Sequence, residues 1–539
     1  MNITPQKNFT ANVGDTSSPA AFLASSPAIV VLIATVILLC IFYKQATWTD
    51  VSKVASIPEA PDGLPFIGHL LSLGGREKEN DSTIYSRWAS RVSSDLFQMR
   101  LGSQRAIVVS SFAAIKDIWI GHSSKLIDRP YQHGFADKLG LDVSGAAMTE
   151  PIRRCRKAAM RALGKPQWPG YYKLLELNSL SLVRNAVTKG ENGRKAIDIY
   201  PFSRQVVFDL VLSLTYGARQ KDADDETVLS LINAINDISS IRSSTQRYRD
   251  YVPLLRVFPE RTSTVIAAEK IRQKHLDTLY ASLNARIARG EEVPCVASMM
   301  NDDRLTQDEI HGTCKSLLQA APDSTASGAY MCIAWLCSPD GAGFQEEALA
   351  AILQEYKGDR DQAWKMAFRE ERVSLIVSLY KEALRFFTTT PFATPRTTVK
   401  EFEYRGTKIP KGITMVMNAQ AANHDTEWYG ESASRFVPTR FMNNDTPLPH
   451  LTFGAGSRIC PAVAISNRII YALLTRLILA FEMKESDDPS ARKPNIDVLD
   501  FSDVHTSLVA IPRPFDCSFV PRDLEWLGSK LEVEEEEIL

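Results

Sequence analysis

A chain of 539 residues is long enough for about three to four average domains or for one large helical enzyme. Apolar residues make up 45%, charged residues 23% and aromatic residues 9%, which is typical of a globular protein and excludes a disordered chain, a collagen-like fibre and a multi-span membrane protein. The 62 Lys and Arg side chains balance 63 Asp and Glu side chains, for a net charge of −1. This balance gives no general electrostatic reason to expect a nucleic acid as partner.

The amino-terminal part contains a long uncharged stretch. No charged residue occurs from Ser17 to Tyr43, and the end of this stretch reads PAIVVLIATVILLCIFY. A helix of ~20 apolar residues spans a ~30 Å hydrocarbon core, so we predict a short lumenal tail at residues 1–20 and a transmembrane anchor helix at residues 21–43. A cleaved signal peptide is the alternative. It fits poorly, because the stretch starts late, lacks a basic region before it and is followed by no small-residue cleavage site.

Charged residues around this stretch predict its orientation. Lys44 and Lys53 follow the predicted span, whereas Lys7 alone precedes it. Because positive charge favours the cytosolic side, the body of the protein would be cytosolic. Asn2 and Asn8 begin N-glycosylation sequons on the predicted lumenal side.

The rest of the chain predicts one domain. Residues 44–68 are rich in proline, which fixes φ and predicts a stiff connector. Residues 69–522 contain no internal repeat or second linker, and helical periodicity predominates, with strand-like runs at 105–110 (RAIVVS) and 413–417 (ITMVM). We predict a mainly α fold with small β-sheets (α+β), followed by an acidic, solvated tail at 523–539.

The eight cysteines are scattered along the chain. None form a CxxC pair, and none lie at zinc-like spacing from a histidine. So few cysteines in so long a chain argue against a disulfide framework and against a structural zinc site. We therefore expect the body of the protein to lie in a reducing compartment.

One predicted helix carries an unusual polar group. Thr306 and Glu309 form a capping box, and the helix is predicted to continue to Cys337. Pro322 removes a helical N–H at its middle and disturbs the helix there. An acid and two alcohols follow at once in an otherwise apolar stretch: Asp323, Ser324 and Thr325. The alternative interpretation is a kinked helix with a polar edge facing water.

A glycine-rich loop, FGAGSRICP, delivers Cys460 to the start of an apolar helix. The partial positive charge of a helix N-terminus, free backbone N–H groups and nearby Arg458 favour a thiolate, and Pro461 suits the first helical position. The glycines allow the backbone to approach a flat ligand closely. Cys460 is therefore a candidate ligand of haem iron. The alternative is a buried structural cysteine in a glycine turn.

This loop resembles the cysteine signature of the cytochrome P-450 family of haem-thiolate monooxygenases. Phe453, Gly456, Arg458 and Cys460 match that signature, which implies haem b as cofactor and Cys460 as its axial ligand. The family usually has glycine where this chain has Ala462. The resemblance extends over nearly everything beyond the predicted anchor and implies a single large cytochrome P-450-type domain.

Two further elements follow the family's chain order. Glu382 and Arg385 match its ExxR element, and Arg440 lies in FVPTRF, which resembles its PERF element with Thr439 in place of glutamate. The resemblance implies that Glu382, Arg385 and Arg440 form a buried structural charge network.

The sequence AAPDST at residues 320–325 resembles the family's oxygen-binding helix. The resemblance implies that Asp323 and Ser324 relay protons while dioxygen is split, with Thr325 as the alternative alcohol.

Cations are expected to meet the two haem propionates. The resemblance implies Arg458, Arg396 and Arg156 for this role, whereas Ile152 replaces a tryptophan donor that the family usually has. His450 could compensate, although an ordinary role in a loop or in the core is an equal alternative.

The resemblance implies a single-pass, membrane-anchored monooxygenase of the endoplasmic reticulum: RH + O2 + NADPH + H+ gives ROH + H2O + NADP+. No P-loop occurs, and the residues after Arg522 cannot hold a flavin domain, so electrons would come from a separate NADPH–cytochrome P-450 reductase. Alternatives are oxidative coupling, epoxidation or rearrangement, and a non-catalytic haem sensor.

The substrate is predicted from segments that line the pocket by family position, which are apolar and small-polar: 131–148, 317–321, 388–392 and 504–508. They suit a hydrophobic aromatic or indole-like molecule. We predict a tailoring step in fungal secondary metabolism, with catabolic hydroxylation of phenylacetate-like acids as the alternative. Within the family the chain looks most similar to fungal phenylacetate-hydroxylase-type members.

Overall fold

The computed structural model describes residues 27–74, 79–130, 141–218, 226–240, 248–258, 263–443, 446–505 and 507–532. Several predicted features lie outside these residues: the lumenal tail with Asn2 and Asn8, the start of the anchor, the pocket residues 131–140 and the end of the acidic tail. The chain divides into two compact units, Met1–Trp48 and Thr49–Leu539.

Eighteen helices and eight strands are described within these ranges, with short 3-10 turns between them. The helices are α1 Pro27–Thr47, α2 Asp81–Arg91, α3 Phe112–Lys116, α4 Glu150–Ala162, α5 Tyr172–Lys189, α6 Tyr200–Tyr216, α7 Glu226–Ser240, α8 Tyr248–Tyr251, α9 Ser263–Ala288, α10 Val296–Asp302, α11 Gln307–Cys337, α12 Phe344–Glu355, α13 Arg360–Met366, α14 Ser374–Phe387, α15 Ala419–Asn423, α16 Thr426–Tyr429, α17 Val463–Ala480 and α18 Leu524–Leu531. The strands are β1 Leu96–Leu101, β2 Gln104–Val109, β3 Arg396–Thr397, β4 Phe402–Tyr404, β5 Thr407–Ile409, β6 Thr414–Met417, β7 Phe481–Glu485 and β8 Cys517–Pro521. The predicted mainly α fold with small sheets is confirmed.

The first unit contains α1, an apolar helix whose side chains are largely exposed. Its continuous apolar part, Ile29–Lys44, is shorter than a full membrane-spanning helix. In the described part of the chain, the helix that is long and apolar enough to span a membrane is α17, and most of α17 is buried in the core.

The main sheet has the strand order β1–β2–β6–β3, with β6 parallel to β2 and the other pairs antiparallel. Both strand-like runs of the sequence lie here, in β2 and β6. Part of the proline-rich segment, predicted as a stiff connector, pairs with β1: Ala60 N donates to Gln98 O at 2.8 Å, and Gln98 N donates to Pro58 O at 2.8 Å. Strand pairing gives these backbone groups hydrogen-bond partners, and burying them without partners would cost free energy.

Helix α11 runs through the core of the second unit. It begins with the predicted capping box, in which Thr306 N donates to Glu309 Oε2 at 2.9 Å, and it ends at Cys337. A Cβ at Gly328 would lie 3.0 Å from Leu384 Cδ2 and 3.2 Å from Ile470 Cδ1. The missing side chain therefore lets α11, α14 and α17 pack closely together.

Residues 523–532, at the start of the predicted acidic tail, form a packed helix. Asp523 caps α18, and Leu527 is fully buried. Trp526 Nε1 donates to Asp361 Oδ1 at 2.8 Å, and the Arg360 guanidinium lies 3.7 Å from the centre of the Trp526 ring. Helix α18 is amphipathic and packs on α13. The acidic composition of this segment did not predict that contact.

Candidate functional site

The cysteine loop is held in one shape by backbone contacts. Cys460 N donates to Phe453 O at 3.1 Å, which closes the loop on itself. Gly456 has a φ of +64°, and a Cβ there would lie 1.8 Å from Trp119 O. A side chain at this position is therefore sterically impossible, so the glycine follows from close packing of the loop on the turn after α3.

The start of the following helix differs from the prediction. Helix α17 begins at Val463 with Ala462 as its N-cap residue, so Pro461 lies two residues before the helix rather than in its first turn. Ala462 has a φ of −100°. Because this angle is ordinary for an L-residue, alanine is compatible with a position where the family usually has glycine.

The electrostatics of Cys460 also differ from the prediction. Burial raises the pKa of the Cys460 thiol, and this rise is opposed by a hydrogen bond from the Ala462 amide and by the charge of Arg156. Arg458 does not act on the sulfur. Its Nε donates to Ile127 O and its Nη2 to Ala146 O, both at 2.8 Å. Coordination to a metal ion would stabilise the thiolate where the loop alone does not.

Four arginines surround the loop without a carboxylate as hydrogen-bond partner among the described residues: Arg129, Arg156, Arg396 and Arg458. Each donates to backbone carbonyls instead. Arg129 Nη1 donates to Thr394 O at 2.6 Å, Arg156 Nη2 to Ile459 O at 2.8 Å, and Arg396 Nη2 to Ala455 O. We call this group the arginine cluster.

Burial and mutual repulsion destabilise the charges of the arginine cluster. Burial, followed by the charges of Arg458 and Arg156, lowers the pKa of Arg396 to about 9. Burial and the charge of Arg156 lower that of Arg458 to about 10. Burial and the other three cations lower the pKa of Arg129. The nearby carboxylates of Asp128 and Asp142 oppose this effect only in part. Buried charges that are incompletely neutralised are costly, so this cluster favours an anionic ligand.

The cluster fits the carboxylates of a haem. The buried nitrogens Arg396 Nη1 and Arg458 Nη1 have no hydrogen-bond partner in the described structure. A guanidinium matches the geometry of a carboxylate, and two propionates would neutralise part of the surplus charge. With a cysteine as sulfur donor beside them, these residues match the chemistry of an iron porphyrin.

His450 is not a cation in this site. Burial, with a smaller contribution from Lys381 and Arg385, lowers the pKa of His450 to about 3. Its Nδ1 is buried without a hydrogen-bond partner, and its ring lies 5.6 Å from that of Phe453. A neutral imidazole could donate one hydrogen bond to a propionate, but it would add no positive charge.

One segment links the arginine cluster to α11. The carbonyl of Ala146 accepts a hydrogen bond from Arg458 Nη2, and Val143 N donates a hydrogen bond to Ser316 Oγ at 3.1 Å. Ser316 Oγ also donates to Asp142 Oδ1 at 3.2 Å. The loop after residue 140 therefore fixes α11 relative to the cysteine loop.

The predicted acid and alcohols lie on α11 with different surroundings. Asp323 Oδ1 accepts from Arg204 Nε of α6 at 2.6 Å, and both side chains are partly exposed. Ser324 is half-buried and its hydroxyl donates to Ala320 O at 2.8 Å, whereas Thr325 is buried. Asp323 is therefore partly exposed to solvent and forms an ion pair with Arg204 that the sequence did not predict. The Ser324 hydroxyl contacts the helix backbone near Pro322.

The predicted charge network is assembled in the core. Glu382 and Arg385 are fully buried, and Arg385 donates two hydrogen bonds of 2.8 Å to the two carboxylate oxygens. Arg440 Nε donates to Glu382 Oε2 at 3.0 Å, and Val437 N donates to Oε1 at 2.8 Å. The carboxylate is therefore saturated, and it ties α14 to the segment before the cysteine loop.

Sequence reasoning missed Asn423, which joins this network to the cysteine loop. Its Nδ2 donates to Thr388 Oγ1 at 2.9 Å, and its Oδ1 accepts from Leu451 N at 2.8 Å. Its backbone carbonyl accepts from Arg385 Nη1 at 2.6 Å. The fully buried amide holds the strained end of α14, where Thr388 has a φ of +39°, against the start of the loop. A single asparagine carries no sequence signal for this role.

The arginine cluster gives a first prediction. Replacing Arg396 or Arg458 with methionine should lower haem affinity tenfold or more, because a charged hydrogen bond contributes ~1.5–3 kcal/mol. Haem content per protein, measured from the pyridine haemochrome spectrum during dilution, reports this loss. Arg405→Met, at an exposed position, is the matched control. Full haem retention in both cluster variants would show that the cluster does not bind propionates.

Comparisons with known proteins agree with this geometry. A sequence model of the cytochrome P-450 family matches residues 58–502. A phenylacetate 2-hydroxylase from Emericella nidulans is 32% identical over 91% of this chain and 95% of its own length. A 3-hydroxyphenylacetate 6-hydroxylase from the same organism is 28% identical over 87% of this chain and 90% of its own. A solved structure of a zebrafish cytochrome P-450 with progesterone, 16% identical, aligns with a TM-score of 0.67 over 82% of this chain and 99% of that chain.

Proposed function

We propose, since this chain belongs to the cytochrome P-450 family of haem monooxygenases, that its substrate is a small aromatic compound of the arylacetic acid class. The observation that carries the substrate class is the similarity to the phenylacetate 2-hydroxylase, which extends over nearly the full length of both chains. This similarity favours the second of the two substrate predictions over the indole-like metabolite of a biosynthetic pathway.

Haem, when bound, would activate dioxygen so that one oxygen atom enters the substrate and the other becomes water. Cys460 would bind its iron through a thiolate, and the arginine cluster would hold its propionates. The fixed loop, closed by the hydrogen bond between Cys460 N and Phe453 O, presents the sulfur without reorganisation. Such preorganisation of a ligand is what keeps a metal site in one geometry.

Protons would reach the reaction through Asp323 and Ser324. The Asp323 carboxylate is partly exposed and paired with Arg204, so it can exchange protons with solvent when that pair opens. The Ser324 hydroxyl donates to Ala320 O, and its oxygen could accept a proton from a donor in the site. An acid and an alcohol in adjacent positions on a helix disturbed by Pro322 can pass a proton by rotation of the hydroxyl.

The protein is proposed to work at the endoplasmic reticulum membrane. Its α1 helix, with exposed apolar side chains, would serve as the anchor, and the catalytic unit would lie in the cytosol. Electrons would come from NADPH through a separate NADPH–cytochrome P-450 reductase. Turnover that requires added reductase supports this arrangement, and reductase-independent haem binding without turnover would favour a sensor.

The substrate class is tested by binding titrations of the ferric, haem-loaded protein. Phenylacetate and hydroxyphenylacetates are expected to shift the Soret band at low concentration, because they displace water from the haem pocket. Indole and neutral indole derivatives are the comparison series. Tighter binding of the neutral indoles would overturn the arylacetate proposal, and product analysis then separates hydroxylation from coupling, epoxidation or rearrangement.

The proton path gives a second prediction. Ser324→Ala should lower the product formed per NADPH consumed severalfold, with the difference released as peroxide, because the hydroxyl that carries the proton is lost. Thr325→Val is the matched control, since this buried neighbour is expected to leave the yield unchanged. If Thr325→Val uncouples the enzyme and Ser324→Ala does not, the relay is Thr325.

A further inference from the structure

Two cysteines that the site does not use lie in contact in the core. Cys337 is the last residue of α11 and Cys517 is the first residue of β8, 180 residues further along the chain. Their sulfur atoms are 2.9 Å apart, and both side chains are buried. The sulfurs of a disulfide are ~2.05 Å apart, so a relative movement of less than about 1 Å separates this pair from a covalent bond.

The backbone on the Cys517 side of the pair is held in place. Cys517 N donates to Ile197 O and Ile197 N donates to Cys517 O, both at 3.0 Å. On its other side Cys517 pairs with Glu485 of β7. A residue bonded on both sides cannot move away easily, so the proximity of the sulfurs is a property of the folded chain.

The end of α11 is equally fixed. Ser338 N donates to Ala334 O and Trp335 O, both at 3.1 Å, and Ser338 Oγ donates to Trp335 O at 2.7 Å. These bonds end the helix immediately after Cys337. Once one of two thiols fixed in contact has been oxidised to a sulfenic acid, the other attacks it far faster than a thiol that must diffuse to it.

The surroundings select the kind of oxidant. Burial raises the pKa of Cys337, and the neighbouring Cys517 and Glu485 raise it further, so the Cys337 thiol is protonated in the folded protein. A protonated, buried thiol resists exchange with large disulfides such as oxidised glutathione. A small neutral peroxide can enter a packed core where such a disulfide cannot.

We propose that Cys337 and Cys517 form an intramolecular disulfide when the protein is exposed to hydrogen peroxide. One thiol is oxidised first: R–SH + H2O2 gives R–SOH + H2O. The second thiol then displaces water: R–SOH + R′–SH gives R–S–S–R′ + H2O. The two sulfurs lose two electrons in total, the O–O bond of the peroxide is broken, and both thiol protons leave in water.

The cross-link would tie the helix that carries Asp323 and Ser324 to the C-terminal sheet. Both cysteines are free thiols in the structure, which is the state expected in a reducing compartment. Because the cross-link closes a long loop of the chain, it constrains the unfolded state and raises thermal stability.

The chain contains a matched control. Cys332 lies on the same helix and is also fully buried, but it has no sulfur neighbour within the described structure. Burial raises its pKa as it raises that of Cys337. If burial alone decided reactivity, the two cysteines of α11 would respond to peroxide alike.

The test is a thiol map of the full-length, haem-loaded protein before and after treatment with hydrogen peroxide. The protein is denatured, alkylated, digested without reduction and analysed by mass spectrometry. The expected result is a peptide joining Cys337 to Cys517, with both lost from the alkylated pool, while Cys332 stays alkylated. The melting temperature should rise by several degrees on oxidation and return on reduction.

Three results would overturn the proposal: both cysteines still alkylated after peroxide treatment, separate sulfinic acids at the two positions, or a disulfide to another cysteine. In Cys517→Ser the cross-link and the rise in melting temperature should be absent, whereas Cys332→Ser should keep both. If Cys517→Ser fails to fold, Cys337→Ala replaces it, and the peptide map of the unsubstituted protein decides the question by itself.

Discussion

Replacing Cys460 with alanine should abolish thiolate ligation of haem and reduce monooxygenase turnover to background. Cys460 is the sulfur-containing residue of the loop FGAGSRICP, and the other residues of that loop carry no sulfur. The measurement is the difference spectrum of the reduced protein with carbon monoxide, in which the strongly red-shifted Soret band of a thiolate-ligated haem should disappear.

The control for this variant is Cys314→Ala, which removes a buried cysteine of α11 that is not part of the loop. It should retain the red-shifted band and most of the activity. Retention of that band in Cys460→Ala would refute the ligand assignment. Ala462→Gly should leave the spectrum unchanged, since the backbone at this position does not need a glycine.

Replacing Glu382 with glutamine should destabilise the protein by about 3–5 kcal/mol, because Arg385 and Arg440 would be left without their buried counterion. The Arg385 side chain is fully buried, and the carboxylate accepts hydrogen bonds from both arginines and from Val437 N. Loss of haem should accompany the lower melting temperature, since the same network supports the segment before the cysteine loop.

The matched control is Glu482→Gln, which breaks the ion pair with Lys484 at the surface. Exposed pairs contribute at most about 1 kcal/mol, so the melting temperature should change little. Glu382→Asp keeps the charge and should fall between the other two variants. If Glu382→Gln and Glu482→Gln melted at the same temperature, the triad would not hold the fold together.

Local sequence patterns were sufficient where the chemistry is local. The capping box predicted the start of α11 because its two residues satisfy each other's backbone N–H groups within one turn. The glycines and the cysteine of residues 453–460 predicted a tight loop for the same reason. Glu382 and Arg385 lie one helical turn apart, a spacing that permits the pairing which the family resemblance implied.

Features that depend on distant segments were not predictable in this way. Arg129 joins the arginine cluster through carbonyls of residues 394 and 395, and Arg204 reaches Asp323 from another helix. The proline-rich connector pairs with β1, and the acidic tail begins with a docked helix. No local pattern reports a contact between segments that are distant in the sequence.

The sequence by itself identified the family, Cys460 as the cysteine that would bind haem, and α11 as the helix that carries an acid beside an alcohol. It also identified Glu382 and Arg385 as the two members of the charge triad that share one helix. The tertiary structure alone decided which cation acts on the Cys460 sulfur, that His450 is neutral, and that Cys337 meets Cys517. The physical reason is that hydrogen-bond caps, turns and helical spacing act within a few residues, whereas desolvation, pKa values and contacts between buried side chains depend on everything packed around a group.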